Sequence, residues 1–226
     1  MDEFPHQPHN WLIHKLMWEE LSIVIPRYAA GTLLDVGCGN RPYRALAAPH
    51  VRSYVGLDFP AATSSPPDAD VHADALALPV ATESVDTVLC SELLEHLPLP
   101  LDALGEMHRV LRPGGHVILT TPLFWQVHEE PRDYYRYTKY GLHYLLRASG
   151  FEPVHTAELT GFVATVVQMT SYAVRAQTPV ARALRPLTAP VSWLAQRAAY
   201  AINKRERNRA FNCLTIVVAR KPRAGA

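Results

Sequence analysis

Apolar and polar positions alternate along this chain with two different periods. Over residues 10–27 the apolar side chains fall three or four positions apart, which predicts one amphipathic helix ending near Pro26. We expect residues 1–30 to form a helical lid across the domain.

Short apolar runs of strand length follow this helix. They are Leu33–Val36, Tyr54–Leu57, Val85–Cys90 and Val117–Thr121. The stretch Pro60–Asp68, before a further strand near Asp70–Ala73, has loop composition and is too short for a crossover helix. Helical patterns separate some of the other runs, so the order predicts βαβ units around a mostly parallel sheet.

Helix-breaking residues fix several boundaries in the second half of the chain. Residues 101–111 have helical spacing, and Arg112-Pro113-Gly114-Gly115 stops that helix. Another helix is predicted from about Thr138 to Ser149, with Gly150 as its stop, and Phe151–Leu159 returns to the sheet.

The C-terminal third predicts a helical insertion followed by a last strand. Residues 160–209 are rich in Ala, Val and Arg, and Phe211–Ala219 has the composition of a strand. We expect prolines to break the insertion at three points, namely Pro179, Pro186 and Pro190.

Composition narrows the class of protein without naming a function. With 48% apolar and 19% charged residues, the chain is typical of a globular protein. Its three cysteines are widely spaced, which predicts neither a disulfide framework nor a metal site. The first ten residues show no secretory signal pattern, so we expect a cytoplasmic protein.

Charge is distributed unevenly along the chain. Residues 159–226 contain 11 Lys and Arg and one acid, a net charge of +10, whereas residues 1–158 contain 11 Lys and Arg and 20 acids, a net charge of −9. The basic C-terminal third of the chain indicates an anionic partner, or a basic surface that complements the acidic part of the same chain.

A glycine-rich turn is the first candidate for chemistry. The sequence Leu33–Pro42 runs from a strand into a turn containing Gly37 and Gly39, where missing side chains let the backbone approach a ligand. A dinucleotide-binding fingerprint would require a third glycine where this chain has Pro42. Without this glycine, a nicotinamide oxidoreductase is only the second hypothesis for the function.

Five motifs in order resemble the class I S-adenosylmethionine-dependent methyltransferases, specifically their type 11 group. The motifs are Asp35–Gly39, Gly56–Asp58, Ala73–Ala75, Val85–Glu92 and Leu111–Pro122. The resemblance covers about residues 30–159. It continues more weakly through His128–Thr138, which is similar to bacterial members associated with polysaccharide or cell-envelope pathways.

The resemblance implies a Rossmann-like α/β fold and a single domain over residues 1–226. Its mostly parallel seven-stranded sheet would have an antiparallel last strand at 210–220, preceded by the insertion at 160–209. The cofactor-binding core would occupy residues 31–159.

The same resemblance implies an S-adenosylmethionine site at the carboxyl ends of the first strands. Asp58 would accept hydrogen bonds from both ribose hydroxyls, Asp74 would accept one from the adenine amino group, and Ala75 would donate from its backbone. Ser91 would lie beside the methionine end, and Asp35 would support the glycine turn, whose glycines pass close to methionine and ribose. The complete set is Asp35, Gly37, Gly39, Asp58, Asp74, Ala75 and Ser91.

Methyl transfer to a hydroxyl would also require removal of its proton. His128 follows the fifth strand and is the candidate general base, although its polar surroundings also fit a solvated network. Tyr134, Tyr135 and Arg136 are candidates for binding the acceptor, or else they pack the following helix. No spacing rule selects metal ligands, so we predict no metal.

The remaining hypotheses concern the acceptor and partners. A basic amphipathic insertion at 160–209 is compatible with contact with the inner face of a membrane and a glycan or lipid-linked acceptor, but packing on the domain or against a homodimer partner is the favoured explanation. A small-molecule acceptor fits as well. The basic cluster Lys204–Arg209 lacks interleaved aromatic residues, which ranks nucleic acid lower. A non-catalytic cofactor sensor or scaffold is the alternative from another class.

Overall fold

The structure, a computed structural model, describes residues 8–60, 69–174 and 179–223. Its α-helices are α1 (Trp11–Tyr28), α2 (Arg44–Ala47), α3 (Pro100–Val110), α4 (Lys139–Ala148), α5 (Phe162–Val174) and α6 (Pro179–Asn203). Its strands are β1 (Thr32–Val36), β2 (Ser53–Asp58), β3 (Val71–His72), β4 (Val85–Ser91), β5 (Leu111–Pro122), β6 (Glu152–Glu158) and β7 (Leu214–Arg220).

The strands form one sheet with the order β3-β2-β1-β4-β5-β7-β6. Strands β2 and β4 pair with β1 in parallel, and β5 pairs with β4 in the same way. At one end of the β5–β7 pair Lys221 N–H donates to Gly115 O (2.9 Å), and at the other Leu123 N–H donates to Cys213 O (2.9 Å). Strand β7 is therefore antiparallel, which confirms the predicted Rossmann-like α/β architecture.

The strand order creates a switch point between β1 and β4. From β1 the chain builds outward through β2 and β3, then returns to the other side of β1 to build β4 and β5. In open parallel sheets, ligands bind outside the carboxyl ends of the strands at such a reversal. This edge is where the five motifs place their polar residues.

Helix α3 buries the apolar face that its sequence pattern predicts. Its buried side chains are Ala103, Leu104, Met107 and Val110, which all have zero exposure and share one helical face. They join the core beside sheet residues such as Val88 and Leu119. Full burial of a side chain of this size contributes about 1.5–3 kcal/mol.

The chain divides into two compact units. One comprises the described residues of 22–122, 127–157 and 215–226, and the other those of 1–21, 123–126 and 158–214. The first contains every predicted site residue. The single domain over 1–226 and the lid over 1–30 stay predictions.

Strand β5 begins six residues earlier than the apolar pattern predicts. Helix α3 ends at Val110, close to the predicted stop, but the helix-breaking residues that follow lie inside the strand. The cause is distant in sequence, because Gly114 N–H donates to Lys221 O (2.8 Å) and Gly115 O accepts from the same residue. Most of the predicted loop Pro60–Asp68 lies outside the described residues.

The predicted breaks at Pro186 and Pro190 are wrong, since both lie inside helix α6, while Pro179 begins that helix. Proline is favoured in the first turn of a helix. The two internal prolines are exposed, so their rings do not displace core side chains.

Within the second unit, buried amide side chains connect the first residues of the described chain to helices α5 and α6. Gln168 on α5 donates to Asn10 Oδ1 (3.1 Å), and Gln196 on α6 accepts from Leu12 N–H (3.0 Å).

Helix α6 also exposes apolar side chains, since Leu187 and Val191 are 71% and 66% exposed. Among the described residues no helix is long and apolar enough to cross a membrane. Contact of 160–209 with a membrane or a second copy stays a prediction.

Replacement of Lys221 tests the connection between α3 and β7. Its buried ammonium donates to Leu111 O (2.9 Å), His108 O (3.0 Å) and Glu83 Oε1 (3.1 Å). We expect Lys221→Met to lower the free energy of unfolding by about 2–4 kcal/mol, because two carbonyls lose a charged donor. Denaturant titration measures this, and Lys204→Met at an exposed position serves as the control. Equal destabilisation by both variants would contradict the assignment.

Candidate functional site

The turn after β1 has a backbone that suits glycine and little else. Gly37 and Gly39 have φ values of +75° and +50°, in the left-handed region. A Cβ on Gly37 would lie 2.9 Å from the side chain of Leu93. The N–H groups of Gly37 and Cys38 both donate to Leu57 O, at 2.8 and 3.1 Å. These bonds fasten the turn to the end of β2.

Asp58 completes this connection at the last position of β2. Its Oδ2 accepts from Gly39 N–H (2.7 Å), and its Oδ1 accepts from Phe59 N–H (2.7 Å). Each carboxylate oxygen keeps a second lone pair, so the pair suits the two hydroxyls of a ribose. A Cβ placed on Gly39 would meet nothing within 4 Å, so open space adjoins the turn. The residues present therefore fit a nucleoside ligand.

Asp35 lies beneath this surface with only 2% exposure. Burial raises the pKa of its carboxyl to about 7, and the charge of Asp58 adds to the shift. The Tyr54 hydroxyl on β2 donates to Asp35 and offsets part of it. The hydrogen bond found for Asp35 thus runs to the neighbouring strand.

Arg41 is a residue of this site that the motifs did not predict. It has a positive φ of 51°, and its side chain lies where a Cβ on Gly56 would be 2.9 Å from its Nε. Its guanidinium pairs with Asp70 (2.9 Å), which also accepts from Gly56 N–H (2.8 Å). Arg41 therefore connects the glycine turn to the segment before β3.

The two residues predicted to contact adenine differ in exposure. Asp74 is exposed, and its Oδ1 accepts from Leu76 N–H (2.9 Å), which closes a local turn. Ala75 is buried. Their roles toward adenine stay predictions.

Ser91 at the end of β4 belongs to a small hydroxyl network. Its Oγ lies 2.9 Å from Thr120 Oγ1, which in turn donates to Glu92 Oε1 (2.9 Å). Burial raises the pKa of Glu92, and Thr120 offsets part of that shift. Glu92 has a φ of 51°, so no helix begins there, and only a single 3-10 turn follows at Leu94–His96.

Glu95, His96 and His128 come together just beyond this network. One potential ligand atom from each lies within 4.8 Å of the others, and the two imidazole rings meet edge to face at 4.7 Å. Burial and the nearby Glu92 raise the pKa of Glu95. The sequence analysis did not predict Glu95. The run Ser91–His96 nevertheless contains the acids Glu92 and Glu95 and the histidine His96.

The predicted base and the predicted acceptor arginine share one partner, Asp133. The Asp133 Oδ2 lies 3.3 Å from His128 Nδ1 and accepts from Arg136 Nη2 at 2.8 Å, while Oδ1 accepts from Nη1 at 2.6 Å. The hydrogen bonds from Arg136 hold the pKa of Asp133 well below its usual range.

The predicted acceptor tyrosines are exposed, Tyr134 at 48% and Tyr135 at 38%. Their backbone N–H groups donate to Glu95 O at 2.9 and 3.3 Å, and the Tyr135 hydroxyl donates to Pro98 O (3.0 Å). The backbone of this segment thus holds the loop against the 3-10 turn, while the rings face outward. Contact with an acceptor stays a prediction.

Residues 34–119, which include the glycine turn, match the family model described as a methyltransferase domain, of type 11. Over this segment the chain is similar to methyltransferases of type 11. One similar protein is a probable S-adenosylmethionine-dependent methyltransferase of Mycolicibacterium smegmatis, 33% identical over 115 residues, which are 48% of this chain and 44% of that protein. The chain spans about two fifths of the length of the curated relatives it matches.

Solved structures agree with this methyltransferase fold. The cyclase SpnF has a TM-score of 0.60 at 20% identity, covering 91% of this chain and 82% of its own. The phosphoethanolamine N-methyltransferase 2 of Haemonchus contortus, in complex with S-adenosylmethionine, has a TM-score of 0.58 at 16% identity, covering 96% and 56%. At these identities the likeness concerns the fold alone.

Replacement of Asp35 tests its raised pKa through the pH dependence of stability. The carboxyl has a pKa of about 7 when folded and about 3.9 when unfolded, so between these values the folded state holds an extra proton. Stability from this group therefore falls as pH rises from about 4 to about 7. We expect the free energy of unfolding of the wild type, relative to Asp35→Asn, to decrease by a few kcal/mol over that window. Parallel pH profiles from chemical denaturation would contradict this.

Proposed function

We propose that the chain transfers a methyl group from S-adenosylmethionine to a small-molecule, glycan or lipid-linked acceptor by in-line displacement. The observation that carries the proposal is the junction of the glycine turn with Asp58, where Gly39 N–H donates to the carboxylate at 2.7 Å. This junction lies at the carboxyl edge beside the switch point of the sheet.

When bound, S-adenosylmethionine supplies an activated methyl group. The chain's own task is to hold and align the reactants. Asp58 binds the ribose hydroxyls, the glycine turn allows close approach of the backbone, and Ser91 lies at the methionine end. Asp74 and Ala75 serve the adenine, which an exposed carboxylate and a buried backbone donor both permit.

His128 serves as the general base for a hydroxyl acceptor. A base requires a fixed ring, and the Asp133 carboxylate lies 3.3 Å from its Nδ1, as in other pairs where a carboxylate orients a histidine. Tyr134 and Tyr135 supply exposed rings against the acceptor. Arg136 is already bonded to Asp133, so an anionic group of the acceptor would share its guanidinium.

Partners and location form the less constrained part of the proposal. The basic C-terminal third and the exposed apolar residues of α6 support contact with the inner face of a membrane, in a cytoplasmic protein, or pairing with a second copy. Nucleic acid ranks lower. The cyclase SpnF has a similar fold under another activity name, so release of S-adenosylhomocysteine is the decisive readout against a non-catalytic binder.

Titration calorimetry with S-adenosylhomocysteine tests the cofactor site. We expect Asp58→Ala to weaken binding by roughly 2–4 kcal/mol, because the ribose loses two acceptors and the turn loses its anchor. Asp58→Asn keeps the size and one acceptor, so it should fall between Ala and wild type. The control is Asp102→Ala in the first turn of α3. Unchanged affinity in Asp58→Ala would rule out the ribose assignment.

Turnover with a hydroxyl acceptor, found by screening sugars and lipids for S-adenosylhomocysteine release, tests His128. We expect His128→Ala to reduce kcat by about 100-fold or more while cofactor affinity stays unchanged, since proton transfer contributes on that scale. The control is His143→Ala, because His143 bonds Thr156 (2.8 Å) outside this cluster. Equal kcat values in wild type and His128→Ala would exclude the base role.

A further inference from the structure

The carboxylate of Glu95 is buried and receives no hydrogen bond among the described residues. The residue has zero exposure. A buried polar group in this condition is costly, and a charged one more so. Such groups are normally paired or bound to a cation.

The side chains nearest to this carboxylate are metal-binding types. His96 Nε2 lies 3.8 Å from Glu95 Oε1, and the potential ligand atoms of Glu95, His96 and His128 all lie within 4.8 Å of one another. Two imidazoles and one carboxylate are the donor set of several catalytic zinc sites.

Both histidines are supported from behind, as metal-binding histidines usually are. His96 Nδ1 lies 2.6 Å from the Arg132 carbonyl, which can only accept, so Nδ1 carries the proton and Nε2 the lone pair. His128 Nδ1 lies 3.3 Å from the Asp133 carboxylate. A carbonyl or carboxylate behind the ring fixes its orientation and raises its basicity toward an ion.

Arg136 does not neutralise Glu95 through a hydrogen bond. The Arg136 guanidinium acts on Glu95 electrostatically, but it donates to Asp133 and to Tyr135 O (2.7 Å), and neither Glu95 oxygen receives a hydrogen bond. Glu92 adds a second partly buried acid beside it. An ionised Glu95 would therefore have no hydrogen-bond donor among the described residues, and a bound cation would supply the missing partner.

We propose that Glu95, His96 and His128 bind a divalent cation, with Zn²⁺ as the best match to the donor set. Zinc–ligand bonds of about 2.0–2.1 Å at tetrahedral angles separate the ligand atoms by about 3.3 Å. The 3.8 Å between His96 and Glu95 thus needs to close by about half an ångström. Three protein ligands leave one coordination position open, which is typical of catalytic rather than structural sites.

The ion would change the role of His128 within the proposed function. A hydroxyl at the open position would have a lower pKa and could give its proton to solvent water, and His128 would act as a ligand instead of the base. This consequence rests on the proposed methyl transfer. Metal binding itself is measured without cofactor or acceptor, so the two proposals can fail separately.

The experiment is calorimetric titration of Zn²⁺ into the tag-free full chain after removal of metal with a chelator. We expect one site, with affinity at least 100-fold weaker in Glu95→Gln, His96→Ala and His128→Ala. The matched control, His143→Ala, should bind as the wild type does. Circular dichroism and S-adenosylhomocysteine binding show whether each variant is folded.

A second measurement covers variants that fail to fold. Co²⁺ added to the wild type should give the visible absorption of a four- or five-coordinate ion, and Zn²⁺ should displace it at one equivalent. No stoichiometric binding by the wild type, or equal binding by the His96→Ala and His143→Ala variants, would overturn the metal site and leave His128 as the base.

Discussion

The site depends on the hydrogen bonds between the glycine turn and the end of β2. Two consecutive N–H groups share the carbonyl of Leu57, and a third reaches the carboxylate of Asp58. Because β1 and β2 are parallel neighbours, their carboxyl ends lie at the same edge of the sheet. The hydrogen bonds of the turn connect the two ends there. A residue with a Cβ at position 37 would meet Leu93 and be strained by its φ, so the turn requires glycine there.

Three acidic side chains around this turn are partly or fully removed from solvent. Asp35, Glu92 and Glu95 all have raised pKa values, and burial is the main cause in each case. Single hydroxyl donors from Tyr54 and Thr120 offset the first two, whereas Glu95 has no such donor. Desolvated titratable groups concentrate where proteins bind ligands or perform chemistry, and here they lie along the edge where the sheet reverses.

The family match covers only part of the predicted site. The matched residues 34–119 contain the predicted cofactor residues from Asp35 to Ser91, whereas His128 and the loop after it lie beyond the match. Loops vary more among related proteins than the elements they connect, and they often carry the binding residues. What distinguishes this protein is therefore expected in His128–Arg136 and in the C-terminal helices.

Local sequence determined the glycine turn, the apolar strands, the end of α3 and the helix after Thr138, which caps it by accepting from Gly141 N–H (3.1 Å). Each of these is indicated by residues within a few positions of one another, so glycine spacing, periodicity and helix stops suffice to predict it.

Only the tertiary structure decided the early start of β5, the continuation of α6 through its prolines, and the meeting of Glu95 and His96 with His128. The partner of Gly115 lies about a hundred residues away, and His128 lies more than thirty residues beyond Glu95. No local pattern encodes such pairings, because hydrogen bonds across a sheet and between loops are set by how distant segments pack.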